Sequence, residues 1–358
     1  MSYSVQLISP EEKDKLYETY ESRLLYTSKA EIYGCCIKIL TDSEQTKNMW
    51  EDNFYSANEN TRSHGRLIVL SEPGESFSVK YCAYTKTAFL INVDYYGWVK
   101  SIALAVAGDV LEDEHKIYSV HGAAIDIDCL GVSIIAPSGT GKTTHSWGLL
   151  RIPTARLISD DWYFVRLSSR EPLAFGSEKN TFIQADIGKI WNEYERLVDK
   201  AQFDQRGRAL VNVRWIVGNG GVIPMTTIHK IILLKRDPSD KNIVTALNVD
   251  VAVQYLLEHN FCNPHQLVVD NRKIELRKNF FRNLFEQTEV YLVNTTLSPH
   301  ETQNELRAVL RRHQDLRRSG PQPDHYRRGR PPRAAGDGRR LSQSALGRNA
   351  CLAEYLGP

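Results

Sequence analysis

The run Ala136-Pro137-Ser138-Gly139-Thr140-Gly141-Lys142-Thr143-Thr144 sets two glycines, a lysine and several hydroxyls in an order suited to wrapping a polyphosphate. The phosphate-loop signature places a glycine about six residues before the lysine, then four free positions and Gly-Lys-Ser/Thr, and only Ala136 departs from it. In such a loop successive amide groups curl around phosphate oxygens at a helix N-terminus, where the helix dipole adds partial positive charge. Ser138, Gly139, Thr140, Gly141, Lys142, Thr143 and Thr144 are therefore the expected nucleotide-binding residues. Lys142 would neutralise the β and γ phosphates, and the Thr143 hydroxyl would bind the bridging Mg²⁺. ATP and Mg²⁺ are the implied cofactors.

Asp160 and Asp161 follow the apolar pair Leu157-Ile158, which puts them at the C-terminal end of a short strand, where a metal-binding acid belongs. Two adjacent carboxylates can divide the labour, one holding the metal directly or through water and the other accepting a proton from an attacking hydroxyl. Phosphoryl transfer also asks for a cation over the γ-phosphate. Arg214, in Val211-Asn212-Val213-Arg214-Trp215, is the candidate, with Arg206 and Arg208 as alternatives in a polar turn.

These residues need a sheet to carry them. Two apolar runs, Ile117–Ile127 and Gly131–Ala136, read as strands, the second entering the loop directly, and Lys142–Leu150 reads as the helix that follows. Further strands are expected at Arg156–Ser159, Trp162–Leu167, Ile228–Leu234 and Val290–Val293, which together imply a mixed sheet. Before them, Trp98, Ile102, Ala105, Val106 and Val110 fall on one helical face, so that helix should pack against the sheet. Residues 1 to about 115 begin polar and helical. They continue with β-type runs at Glu31–Leu40, Arg66–Leu70, Phe77–Tyr84 and Ala88–Val93, as in a small α+β lobe. Ser298-Pro299-His300-Glu301 has the cap, proline and acid of a helix start, predicting a last helix to about Arg312.

The stretch Ser138-Gly139-Thr140-Gly141-Lys142-Thr143-Thr144, preceded by His121-Gly122 and followed by Arg156-Leu157-Ile158-Ser159-Asp160-Asp161-Trp162, resembles the phosphoenolpyruvate carboxykinase and HPr kinase/phosphorylase superfamily. The resemblance covers roughly residues 117–235. It implies that His121 lies near the transferred phosphate, that Asp160 is the base or metal partner, and that Asp161 supports the metal. It also places Gly176-Ser177-Glu178-Lys179-Asn180-Thr181 at a second active-site loop, with Glu178 as an additional metal ligand. The fold implied is α/β with an α+β tendency. A mixed-sheet phosphate-loop core of this type would occupy 116–315, a smaller α+β lobe 1–115, and a disordered tail 316–358. Because HPr kinases assemble into rings, the resemblance also raises a homo-oligomer.

Composition bounds the remaining choices. The chain of 358 residues is 42% hydrophobic and 25% charged, ordinary for a globular protein. No stretch approaches the roughly 20 apolar residues that span a bilayer, and the start lacks the basic-then-apolar order of a secretion signal, so a cytoplasmic location without membrane partners is expected. The six cysteines have no zinc-finger spacing and read as reduced thiols. Residues 311–358 hold eleven Arg, no Lys and four acids against a whole-chain charge of +2, so the body is net acidic, which argues against nucleic acid. The Arg-, Gly- and Pro-rich tail has the composition of disorder.

The reading reached from the residues and the resemblance together is Mg²⁺-assisted transfer of the γ-phosphoryl group of ATP to a serine or other hydroxyl on a protein, peptide or small metabolite. Carboxykinase-like formation of phosphoenolpyruvate and a slow nucleotide-hydrolysing switch are the alternatives.

Overall fold

A computed structural model describes residues 3–169 and 171–319. The chain opens with β1 (Val5–Leu7), α1 (Pro10–Tyr20), β2 (Tyr26–Ile32), β3 (Cys35–Thr41), α2 (Glu44–Asn53), β4 (Tyr55–Ser56), β5 (Gly65–Leu70), β6 (Ser78–Cys82) and β7 (Thr87–Ile91). These strands form a seven-stranded sheet in the order β1-β6-β7-β5-β3-β2-β4. The single run expected over Glu31–Leu40 is two antiparallel strands. Tyr33 (φ 46°) and Gly34 (φ 77°) are both left-handed there, the conformation that folds a two-residue hairpin.

Next comes α3 (Tyr96–Val110), continued by one π-turn, Leu111–His115. Its residues are buried almost throughout rather than along one stripe. The cause is its position: Ile102 and Val106 share a core with Leu67, Val69 and Leu90 of the first sheet, and the same core takes in Trp162 and Phe164. At its end, the fully buried Lys273 ammonium meets Asp109 (2.8 Å), Glu112 (3.0 Å) and Asp113 (3.0 Å).

The second half runs β8 (Ile117–Val120), β9 (Gly122–Ile127), β10 (Leu130–Ile135), α4 (Lys142–Leu150), β11 (Ala155–Ser159), β12 (Tyr163–Arg166), β13 (Leu173–Gly176), β14 (Thr181–Gln184), α5 (Ile187–Ile190), α6 (Glu195–Lys200), β15 (Arg208–Val211), α7 (Arg214–Val217), β16 (Met225–Lys235), β17 (Val244–Leu247), α8 (Val249–Glu258), α9 (Asn271–Glu286), β18 (Glu289–Asn294) and α10 (Pro299–Ser319). Nine strands form a mixed sheet in the order β11-β9-β10-β16-β13-β12-β8, with β18 beside β16 and β17 beside β18. The chain is thus a mixed α/β protein, and Met1–Arg311 is one compact unit.

Both faces of the central strands are covered, so β9 and β10 are buried along their whole lengths and read as continuous apolar runs. Ile125, Val132 and Ile134 pack toward α4 and α10 with Trp147 and Leu306, whereas Ala124, Ile135 and Ile231 pack toward α8 and α9 with Leu256 and Phe281.

The expected strand Ile117–Ile127 is broken at His121. The piece before it pairs with β12 and the piece after it with β10 and β11. The last helix starts as expected: the Glu301 amide donates to the Ser298 hydroxyl (3.3 Å) and the Ser298 amide to the Glu301 carboxylate (3.1 Å). It extends to Ser319 rather than stopping near Arg312. The expectation of a disordered tail falls, from residue 320 onward, outside the described residues. Cys35, Cys36, Cys82, Cys129 and Cys262 are free thiols. No helix among the described residues is long and apolar enough to cross a membrane.

Removing one partner of a fully buried ion pair strands the other charge in low dielectric. Lys273→Met is therefore expected to cost about 3 kcal/mol, read as a lower urea midpoint with an unchanged slope. A loss within experimental error would mean that the acids at the end of α3 do not depend on Lys273.

Candidate functional site

Strand β10 ends at Ile135, Ala136 behind it is still buried in the core, and α4 begins six residues after Ala136. Gly141 sits at the helix N-cap with φ 98°, and no side chain caps the helix, so the amides of its first turn stay open as donors. The loop is braced from within by the Thr140 hydroxyl, which donates to the Pro137 carbonyl (2.7 Å). From outside, the Thr295 hydroxyl donates to the Thr140 carbonyl (2.8 Å). Such bracing holds the loop in shape.

Asp161 is the meeting point. Its carboxylate receives Lys142 from the loop helix and Lys100 from α3 (2.7 Å), and it lies 3.4 Å from His121 Nε2. Its backbone carbonyl accepts the Gly122 amide (3.1 Å). About a third of its side chain (36%) meets solvent. Desolvation works against its charge, yet Lys100 and Lys142 outweigh that and hold its carboxyl well below the usual carboxylate range. Burial opposes the charge on Lys100, and Asp161 and Glu178 more than restore it.

His121, between β8 and β9, donates from Nδ1 to the Cys262 carbonyl (2.7 Å). Because a carbonyl only accepts, Nδ1 carries the ring proton, and in the neutral ring Nε2 presents its lone pair toward Asp161. Burial first, and Lys142 second, push its pKa down, which favours that neutral form.

Asp160 points the other way. One carboxylate oxygen accepts the Ser146 hydroxyl and the other the Trp147 indole N–H (3.1 Å), so it anchors α4 from below while burial raises its pKa. Glu178 arrives from the loop after β13. It accepts from Asn53 (2.9 Å) and lies 3.4 Å from Lys100, and burial raises its pKa as well. Ser159, Asp160, Asp161, Glu178, Lys179 and Phe182 line a cleft at this point.

The expected metal set, Thr143, Asp160, Asp161 and Glu178, is thus split. Thr143 opens α4, Asp161 and Glu178 share Lys100, and Asp160 faces the helix underneath. Among the described residues no group of three or more His, Cys, Asp or Glu side chains is arranged to hold a metal ion. Ser138 and Gly139 lie on the loop, and the Thr144 carbonyl accepts the Trp191 indole N–H (2.9 Å).

The arginines chosen from sequence are engaged elsewhere. Arg214 donates to the Lys179 carbonyl (2.8 Å) and the Tyr55 hydroxyl (2.9 Å), so it fastens the Glu178 loop to β4. Arg206 pairs with Asp94 (2.6 Å) and Arg208 donates to the Tyr95 hydroxyl (3.1 Å).

Arg236 was not anticipated. It leaves the end of β16, donates through Nε to the Thr295 carbonyl (3.2 Å), and brings its guanidinium to within 3.9 Å of where a Gly141 Cβ would stand. A basic residue directly after the apolar run of β16 was its signal in the sequence. Lys100, the other omission, was legible as a lone cation inside an apolar helix. His145, beneath the loop, is held neutral: burial and then Arg236 push its pKa down to about 4.

No known protein-family model matches the chain, and no curated protein matches it. Among solved structures, the Hpr(Ser) kinase/phosphatase from Coxiella burnetii is similar at 14% identity and a TM-score of 0.32, over 56% of this chain and 99% of that one.

A carboxyl whose folded pKa is depressed stabilises the fold above its unfolded pKa, near 3.9, and loses that contribution as pH falls toward the folded value. The advantage of the wild type over Asp161→Asn, about 1 kcal/mol because solvent screens the site, is therefore expected to shrink below about pH 4. Urea denaturation across pH 2–7 measures it, and an advantage that persists undiminished at pH 2 would contradict the pairing.

Proposed function

We propose that the chain is an ATP-dependent phosphotransferase that delivers the γ-phosphoryl group to a hydroxyl acceptor. The observation that carries this reading is the convergence of an uncapped helix start, Lys142 and Lys100 on the Asp161 carboxylate at the edge of one sheet. Cations and open amides gathered there match a polyphosphate, and the carboxylate and imidazole beside them match a proton to be removed.

Phosphoryl transfer asks a protein for positioning and charge stabilisation above all. The amides of the loop and Lys142 would hold the β and γ phosphates, with Lys142 exchanging Asp161 for phosphate oxygen as the nucleotide enters. Arg236, beside Gly141, supplies the further cation, a role first expected of Arg214. The hard oxygen donors of Thr143 and Asp161 fit a magnesium ion that takes its remaining ligands from phosphate and water, since Mg²⁺ needs only one or two protein carboxylates. That ion would supply charge neutralisation between the phosphates.

The acceptor proton has two destinations side by side, His121 Nε2 and Asp161. Both oxygens of Asp160 are occupied by Ser146 and Trp147, so we assign it to anchoring the loop helix rather than to proton transfer. Lys100 fixes Asp161 from behind and carries Glu178 with it.

Purified protein, γ-labelled ATP, Mg²⁺ and a cell extract test the reading, and a labelled acceptor is expected. Oxaloacetate-dependent phosphoenolpyruvate, or phosphate release with no labelled acceptor, would overturn it. Asp161→Asn should cut turnover by about 100-fold or more, the scale of a lost general base, with ATP affinity little changed. Arg236→Ala should weaken ATP binding by roughly 10-fold, as for one charge-assisted contact. If Asp160→Asn is the more damaging of the two acid variants with its fold intact, the division of roles is wrong.

A further inference from the structure

Between α8 and α9 the backbone takes a shape that its residues resist. Asn260 (φ 50°), Phe261 (φ 54°) and Cys262 (φ 53°) are all left-handed, and among the described residues no other three consecutive non-glycine residues are. Asparagine adopts this conformation readily just past a helix end. A bulkier side chain there crowds its own backbone, so Phe261 and Cys262 carry steric strain. Such strain persists only where the surroundings over-determine it, and it gathers at functional positions.

Three sets of contacts impose the turn. Phe261 is buried and stacks on Phe281 of α9, with ring centroids 5.8 Å apart and planes at 11°. The Gln266 carboxamide nitrogen donates to the Asn260 carbonyl, the Asn260 side-chain oxygen and the Asn263 carbonyl, each at 3.0 Å. Its oxygen accepts from the Arg277 guanidinium, which also donates to the Val268 carbonyl (3.1 Å), so the carboxamide is held one way round. Pro264 ends the turn, because the residue before a proline avoids helical backbone, and Asn263 is extended at φ −117° and ψ 103°.

The strained turn delivers one group to the site, the Cys262 carbonyl. It accepts His121 Nδ1–H at 2.7 Å, and the other ring nitrogen lies 3.4 Å from Asp161. The thiol of the same residue is not the reason for the strain, since burial pushes its pKa up to about 12 and leaves it inert. An unrestrained neutral imidazole carries its proton mostly on Nε2, which would cover the lone pair that faces Asp161. A carbonyl fixed at Nδ1 reverses that preference, and it does so only while the turn cannot swing away.

We propose that the left-handed turn Asn260–Cys262, braced by Gln266, is a positioning device that holds the His121 proton on Nδ1 and keeps the Nε2 lone pair open for the acceptor's proton. Gln266 and the turn act through the imidazole alone. The tautomer stands on this geometry by itself, whereas its use in catalysis rests on the phosphotransferase reading.

Protein with ¹⁵N-labelled imidazoles reads the tautomer at about pH 8, where histidine is neutral. His121 is assigned among the ten histidines by the signals lost in His121→Gln. Wild-type His121 is expected to show its proton on Nδ1. Gln266→Met removes the brace at similar length, and Pro264→Gly, at an exposed residue, loosens the end of the turn and serves if the first variant does not fold. Either is expected to move the His121 signals toward the Nε2–H form. Either should also slow acceptor labelling from γ-labelled ATP, Mg²⁺ and a cell extract by about 10-fold or more, the scale of a misplaced catalytic group. Affinity for a non-hydrolysable ATP analogue with Mg²⁺ should change little. Asn260→Gly suits left-handed backbone and keeps the carbonyl, so it should retain the wild-type tautomer.

A wild-type His121 with its proton on Nε2, or His121 signals unmoved in a folded Gln266→Met or Pro264→Gly protein, overturns the device. Signals that move while labelling keeps its wild-type rate overturn the proton-accepting role given to the ring. Wild-type protein that labels no acceptor defeats the phosphotransferase reading instead, and the tautomer result is then unaffected, so the failures are distinguishable.

Discussion

One carboxylate with more cationic partners than it can neutralise organises this molecule. Asp161 stands between an ammonium from α3, an ammonium from α4 and the imidazole of His121, and each of those groups comes from a different part of the fold. Taking a charge out of water is costly, and only close partners offset it. The loop helix, the long central helix and the turn between β8 and β9 must therefore all be seated before the site is electrostatically sound. Lys100 is shared with Glu178 as well, so the two ammonium groups and the two carboxylates of the cluster match one another in number.

The fold meets that demand by placing α3 between two sheets. A helix buried on nearly every side can carry a lysine into the interior only if the ammonium finds acids at once, and Lys100 finds two, Asp161 and Glu178. The acids at the other end of α3 are satisfied in the same manner by Lys273 on α9. Both ends of the helix are thus fixed by ions and its middle by apolar packing.

His121 shows how topology makes chemistry. The chain leaves one strand partner for another at this residue, and a residue at such a switch is released from ladder pairing on its side-chain neighbours. Its ring is then free to be oriented by the Cys262 carbonyl, more than a hundred positions away in the chain. That contact orients the ring so that Nε2 faces Asp161, and it chooses the tautomer, leaving the proton of the neutral ring on Nδ1.

The sequence by itself determined the local devices. The glycine-rich loop with its following helix, the acid pair at a strand end, the apolar central strands and the cap at Ser298 each depend on residues close together in the chain, where φ/ψ preference and hydrophobic period act directly. It could not show that His121 interrupts a strand, because both halves are apolar and only pairing separates them. Nor could it show that Asp160 turns toward Ser146 and Trp147 while Asp161 turns toward two lysines. Both acids lie in a bend just past β11, where no strand period assigns their directions, and which side holds the cations is settled by packing. Lys100 and Arg236 stand far from the loop in sequence and meet it only when α3 and β16 take their places. Long-range electrostatic partners are chosen by the assembled fold, since a charge has no preferred neighbour until burial leaves it few.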